Sequence, residues 1–93
     1  MKKLMENKLN MVTGGDVYDT AVDSQALYFK GYMNEQFDFT DLLFRWIDNS
    51  KKVDEGWARA GITSVTCFND YNRYYKDGKR ISRKTAMKLI GVI

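Results

Sequence analysis

The side chains with the greatest catalytic potential are few and scattered in this sequence of 93 residues. There is one cysteine, Cys67, and no histidine, so the usual general base, the imidazole metal ligands and the Ser–His or Cys–His nucleophile pairs are missing. The neighbours of Cys67 are apolar or β-branched, which is typical of a small buried hydrophobe. The carboxylate pairs Asp19/Asp23 and Asp38/Asp41 have the spacing of exposed helix surfaces. We therefore expect no catalytic residue, no metal site and no cofactor.

A basic and aromatic stretch, residues 71–84, interleaves three tyrosines with six lysines and arginines. Aromatic rings beside cationic side chains hold single-stranded nucleic acids, and a capped helix after a basic turn can enter a major groove. The alternative, which we favour, is a solvated basic face whose tyrosines pack inward. A small basic nucleic-acid-binding module using residues 71–88 is therefore the second hypothesis for function, and nucleic acid is not the expected partner.

The last residues, 81–93, are first basic and then apolar, a pattern that can adhere to an anionic membrane surface. The charge distribution favours a different contact. Residues 16–55 carry nine acids and four bases, whereas residues 56–93 carry eight bases and two acids. Because these segments attract each other, we expect the last helix to dock on the acidic middle of the same chain, with membrane-surface contact by residues 81–93 as the alternative.

The first fifteen residues hold none of the 13 aromatic residues. Their apolar side chains fall on one face of a helical wheel: Met1, Leu4, Met5, Leu9 and Val12. A helix of about twelve residues is marginal in isolation, so we expect a flexible amphipathic segment that folds mainly when it meets a groove. The pair Gly14-Gly15 ends it, because glycine lowers helix propensity by about 1 kcal/mol.

This pattern resembles the double-glycine leader of peptides exported by peptidase-containing ATP-binding cassette transporters. In that family two glycines precede the cleaved bond, and apolar residues stand at four fixed distances before the new N-terminus. Counted back from a cut after Gly15, the residues at those four positions are Val12, Leu9, Leu4 and Met1. The sequence departs from the family at Lys8, where an acidic residue is usual. The resemblance covers 15 of the 93 residues.

The resemblance implies that the transporter supplies the catalytic groups. Its papain-like cysteine peptidase domain would bind the four apolar residues in a groove and cut between Gly15 and Asp16. Glycine at Gly14 and Gly15 would let the backbone approach the nucleophile closely. The transmembrane cavity of the transporter would then accept residues 16–93. The implied product is a bacteriocin-like or signalling peptide, made in the bacterial cytoplasm and secreted after leader cleavage.

A mainly α fold is predicted for residues 16–93, which we call the cargo, because weak helical periodicity runs through much of it. A domain of this size seldom has more than about 3–5 kcal/mol of stability without disulfides or metals. We therefore expect a small, marginally stable helical domain after the leader, residues 1–15. The predicted helices cover residues 17–32, 39–48, 51–60 and 83–90.

Local signals place the ends of these elements. Asp38 or Thr40 is the predicted N-cap of the second helix, and Ser82 is that of the last. Residues 62–68 suit either a strand or a continued helix, and Asp77-Gly78 is either a helix stop or a tight hairpin turn. The predicted core contains an apolar stripe of the second helix and one further tryptophan: Leu42, Leu43, Trp46, Ile47 and Trp57.

Overall fold

Four helices and a three-stranded sheet form the residues that the computed structural model describes, 16–68 and 70–92. The elements are α1 (Asp16–Phe29), α2 (Phe39–Phe44), α3 (Trp46–Arg59), β1 (Thr63–Val65), β2 (Arg73–Lys76), β3 (Lys79–Ile81) and α4 (Arg83–Leu89). The predicted mainly α class is confirmed, with the sheet placed between α3 and α4. No helix in these two ranges is long and apolar enough to cross a membrane.

Helix α1 packs one face into the core. Its buried residues recur at helical spacing: Val17, Thr20, Ala21, Asp23, Ser24 and Leu27. The helix ends at Phe29, earlier than predicted, because Gly31 has a φ of 85° and turns the chain. The Tyr32 N–H then donates to the Leu27 carbonyl at 2.8 Å, as in a Schellman motif.

Helix α3 approaches α1 closely at Gly56. A Cβ added to Gly56 would lie 2.6 Å from Met33 Cγ and 3.2 Å from Leu27 Cδ1, both shorter than ordinary contacts. Glycine inside a helix lowers its stability by up to about 1 kcal/mol relative to alanine. The close packing at this position explains why a helix-destabilising residue stands in the last turn of α3.

The periodicity predicts one helix over residues 39–48. In the structure this helix is interrupted at Arg45, which separates α2 from α3. Arg45 has a φ of −134° and a ψ of 48°. The Asn49 side chain donates from Nδ2 to the Asp41 carbonyl at 3.1 Å, which gives that carbonyl a second hydrogen bond beside the one from the Arg45 N–H. The predicted start of the third helix at residue 51 is also wrong, since α3 begins at Trp46.

The break divides the predicted apolar stripe. Leu42 is fully buried, Leu43 and Trp46 are half-buried, and Ile47 is 82% exposed. The prediction that Ile47 belongs to the core is wrong because the turn between the helices rotates it away from the face that Leu42 occupies. Trp57 is fully buried, as predicted.

The predicted helix caps are confirmed. Asp38, rather than Thr40, is the N-cap of α2: its carboxylate accepts from the Asp41 N–H at 2.9 Å, and the Asp41 carboxylate accepts from the Asp38 N–H at 3.1 Å. This reciprocal pair is a capping box. At the start of α4, Ser82 Oγ accepts from the Thr85 N–H at 3.0 Å.

The sheet is an antiparallel meander in the order β1-β2-β3. Asp77 and Gly78 connect β2 and β3 with φ values of 54° and 81°. Positive φ at both central residues defines a type I′ hairpin turn, whose twist matches that of the flanking strands. Of the two alternatives predicted for Asp77-Gly78, the hairpin turn is therefore correct and the helix stop is wrong. Within residues 62–68, the strand is correct over Thr63–Val65.

The two faces of the sheet lie in different environments. Tyr74 is opposite Ser64 and Ile81, and its ring meets Trp57 edge to face with centroids 5.3 Å apart, so this inner face packs on the helices. Tyr75 lies on the outer face because side chains alternate along a strand. One core cluster lies between the helices and the inner face: Val17, Ala21, Leu27, Met33, Phe37, Leu42, Val53, Trp57, Ile62, Tyr74, Ala86, Met87 and Ile90.

Two aliphatic residues of the predicted stripe should respond differently to truncation. Leu42→Ala is expected to lower the free energy of unfolding by about 2–5 kcal/mol, because it leaves a cavity at a fully buried site. Ile47→Ala should change it by less than about 0.5 kcal/mol, because the side chain is exposed. Urea unfolding followed by tryptophan fluorescence measures both, and equal losses would contradict the break at Arg45.

Candidate functional site

The predicted peptidase-docking residues and both glycines lie outside the described residues: Met1, Leu4, Leu9, Val12, Gly14 and Gly15. Asp16 is the first residue of α1, and the next residue, Val17, is fully buried. The Gly15–Asp16 bond, which we predict to be cut, therefore lies at the boundary of the described residues and close to the buried core.

A buried polar cluster links α1 to the sheet and to α4. At its centre lies the Asp23 carboxylate of α1, which is wholly buried. It accepts one hydrogen bond from Tyr74 Oη in β2 and another from Arg83 Nε in α4, the latter at 3.0 Å. Arg83 Nη2 lies 2.8 Å from the same Asp23 Oδ1. Three elements that are far apart in the sequence thus meet at one carboxylate.

Asn72 extends this cluster into the connection between β1 and β2. Its Nδ2 donates to Thr20 Oγ1 at 2.8 Å, and its Oδ1 accepts from the backbone N–H of Cys67 at 3.1 Å. The Asn72 side chain therefore ties this connection to α1. Cys67 is half-buried, so the prediction of a buried hydrophobe is wrong; its backbone N–H contributes to the cluster.

Burial sets the protonation of the cluster. Desolvation raises the pKa of Asp23 to about 6, although the Arg83 charge and hydrogen bonds from Tyr74 and Arg83 lower it. Burial and the Asp23 charge raise the pKa of Tyr74 far above its ordinary value. The phenol therefore stays protonated and donates a hydrogen bond to Asp23. Burial also raises the pKa of Asp19, against the lowering effect of Arg83.

The Asp23 cluster is suited to holding elements together rather than to chemistry on a substrate. Asp23 is inaccessible to solvent, and each of its two oxygens already accepts from a neighbouring side chain. Removing one partner would leave a buried charge uncompensated, which is strongly destabilising. We therefore assign the cluster a structural role.

Sequence reasoning missed most of this cluster. The spacing of Asp19 and Asp23 predicts an exposed helix surface, and this is wrong for Asp23, which is buried. The one available signal is the opposite charge of residues 16–55 and 56–93. It predicts that the last helix docks on the acidic segment. The ion pair with Asp23 confirms this for Arg83, the first residue of α4, whereas the helix itself packs on β2. Membrane contact by residues 81–93 stays a prediction.

A second carboxylate fixes β1 on α3. Asp54 accepts hydrogen bonds from Ser64 Oγ at 2.6 Å and from Thr66 Oγ1 at 3.2 Å. Desolvation raises the pKa of Asp54, whereas these hydrogen bonds lower it. Because both of its oxygens are engaged, Asp54 also positions an element rather than offering a free base.

An open cleft of about 560 Å³ lies between α3 and the segment that leads into α2. Its charged lining mixes four acids with three bases: Glu35, Asp41, Asp48 and Glu55 with Arg45, Lys51 and Lys52. These side chains are exposed, and their balanced charge is typical of ordinary protein surface. Over the described ranges, no three His, Cys, Asp or Glu side chains are grouped so that they could hold a metal ion.

The basic stretch, residues 71–84, divides between two environments. Tyr74 and Arg83 belong to the buried cluster. Tyr71, in contrast, is 69% exposed, and Tyr75 lies on the outer face of the sheet. The expectation that the tyrosines pack inward is therefore correct for Tyr74 and wrong for Tyr71 and Tyr75.

Comparisons with known proteins gave no match: no family model, no curated protein and no solved structure matches this chain. A functional assignment therefore depends on the leader pattern and on the geometry of the described residues.

The pKa of Asp23 predicts how stability depends on pH. Because its folded-state pKa of about 6 exceeds the ordinary value of 3.8, the folded protein binds this proton more tightly than the unfolded chain does. The stabilisation that protonated Asp23 provides is full below about pH 4 and is lost as the pH rises through about 6. The free energy of unfolding falls by up to about 3 kcal/mol as a result. The difference in unfolding free energy between the natural chain and Asp23→Asn, measured in urea, should therefore fall as the pH rises. A difference that grows with pH would contradict the raised pKa.

The adjacent tyrosines of β2 offer a matched pair of variants. Tyr74→Phe should lower the free energy of unfolding by about 1–3 kcal/mol, because the buried Asp23 carboxylate loses a hydrogen-bond donor. Tyr75→Phe should change it by less than about 0.5 kcal/mol, because its hydroxyl lies on the other face. Thermal or urea unfolding of both variants measures the difference, and a reversed order would contradict the strand register.

Proposed function

We propose that this chain is the precursor of a secreted peptide. Its N-terminal leader, residues 1–15, directs it to a peptidase-containing ATP-binding cassette transporter. The observation that carries the proposal is the register of four apolar residues counted back from Gly14-Gly15: Val12, Leu9, Leu4 and Met1. The peptidase domain cuts after Gly15, and residues 16–93 leave the bacterial cytoplasm as a bacteriocin-like or signalling product.

Each residue type in the leader has a physical role. The four apolar side chains form one face of a helix and dock in a groove of the peptidase. The two glycines pass through the narrow part of the cleft, where a side chain at position 15 would collide with the walls. The nucleophile and its base come from the peptidase, so the lack of histidine in this chain is compatible with the reaction.

The proposed cut lies close to the core of the cargo. Val17, the second residue of the proposed product, is fully buried, so the core anchors the chain just after the cut. The elements described over residues 16–92 belong to the proposed product.

Incubating the full chain with the peptidase domain of a transporter encoded beside its gene should yield a product that begins at Asp16. Gly15→Val should reduce the cleavage rate at least about a hundredfold, because the added side chain cannot enter the cleft. Mass spectrometry and N-terminal sequencing of the product measure both results. Circular dichroism confirms that the variant is still folded. Efficient cutting of Gly15→Val would contradict the proposal.

Docking of the apolar face is tested separately from the scissile bond. Leu9→Asp should raise KM about tenfold or more, because it places a charge in an apolar groove. Asn10→Asp is the matched control, since it introduces the same charge at the next residue, which lies outside the apolar face. Equal effects of the two variants would show that the helical register has no role in recognition.

A further inference from the structure

We propose that the outer face of the sheet binds single-stranded nucleic acid. This outer face is formed by the strand side chains that alternate with the inward ones: Thr63, Val65, Arg73, Tyr75 and Arg80. The proposal does not depend on the leader, because each of these residues lies in the cargo.

The strand register places an aromatic ring between two guanidinium groups. Tyr75 is the cross-strand partner of Thr63 on one side and of Arg80 on the other. Directly opposed side chains have Cβ atoms about 5 Å apart. Arg73 stands two residues before Tyr75 in the same strand and therefore projects from the same face, about 7 Å away.

The cations of this face are available to a ligand. Arg73 and Arg80 are both exposed. Arg73 pairs with Asp70 at 3.4 Å, but the two side chains are 43% and 61% exposed, so the pair contributes little stability and a phosphate can displace Asp70. Within the described part of the chain Arg80 forms no ion pair.

The hydrophobic part of the face is also accessible. Val65, the cross-strand partner of Arg73, is 42% exposed. Tyr75 is half-buried, so its neighbours hold the ring while part of it stays accessible. Tyr71, which precedes β2, is 69% exposed and adds a second aromatic side chain beside the sheet.

These features favour a single strand over a duplex or a membrane. A base can stack on Tyr75 only if it is unpaired, and such stacking contributes about 1–3 kcal/mol per base. The arginines on either side can take the flanking phosphates with paired hydrogen bonds. Three strands span about 10 Å, which limits the face to one or two stacked bases. An anionic membrane would engage the arginines without requiring the ring.

The cationic part is tested by fluorescence anisotropy with the full chain and a labelled oligothymidylate of about 12 nucleotides. Binding should be detected at about 50 mM salt and weaken steeply towards about 200 mM. Arg73→Gln and Arg80→Gln should each weaken binding and reduce the slope of log K against log salt by about 0.7. The control is Lys51→Gln, which removes the same charge from an exposed site on α3 and should leave the slope unchanged.

The aromatic part is tested with Tyr75→Ala and Tyr75→Phe. The alanine variant should bind about tenfold more weakly, whereas the phenylalanine variant keeps the stacking surface and should bind normally. Tyr28→Ala, which removes a tyrosine exposed elsewhere, should have no effect. Circular dichroism checks that each variant is folded.

Any of four results would overturn the proposal. Two are no binding at low salt and no loss of binding with Tyr75→Ala. The other two are a loss with Lys51→Gln equal to that of the arginine variants, and a loss with Tyr28→Ala equal to that of Tyr75→Ala. Equal binding of a DNA duplex, or of phosphatidylglycerol vesicles, would overturn it as well. The last result would identify a membrane-binding surface instead.

Discussion

The buried carboxylate of Asp23 is the point on which the arrangement of the described elements depends. It lies on α1, yet its partners are Tyr74 of β2 and Arg83 of α4. A carboxylate without solvent must be paired and hydrogen-bonded, since an uncompensated buried charge costs several kcal/mol. Because Asp23 of α1 is buried, Tyr74 of the sheet and Arg83 of the last helix must lie beside it to provide those partners. This requirement joins an acidic helical part of the chain to a basic part that contains the sheet.

The same requirement fixes which face of the sheet meets solvent. Tyr74 must point inward to reach Asp23, so Tyr75 must point outward, because side chains alternate along a strand. A shift of the register by one residue would exchange the two tyrosines and break the hydrogen bond to the carboxylate. The outer face with Arg73 and Arg80 is therefore a consequence of the buried cluster, and a polar contact in the core determines what the surface presents to a ligand.

How much the sequence predicts depends on how local each interaction is. The cap at Asp38 and the hairpin at Asp77-Gly78 depend on residues within three or four positions, so the sequence narrows each to two alternatives that include the observed one. The break at Arg45 is not predicted, because the periodicity continues across it and the side chain that stabilises it, Asn49, has no distinctive pattern. Asp23 and Arg83 are 60 residues apart. Segment charge predicts that such regions meet but does not identify the pair. The leader pattern lies outside the described residues and stays a prediction.

Local charge, rather than net charge, decides which ligands the cargo attracts. Residues 16–55 have a net charge of −5 and residues 56–93 one of +6, so the cargo as a whole is close to neutral. Screening limits interactions between exposed charges to about 8 Å at physiological salt, and the described part of the chain measures 35 × 25 × 24 Å. Acidic side chains on distant surfaces therefore do not cancel the arginines of the sheet. Because Arg73 and Arg80 lie beyond the predicted cut, the released product would keep both of these positive charges after the leader is removed.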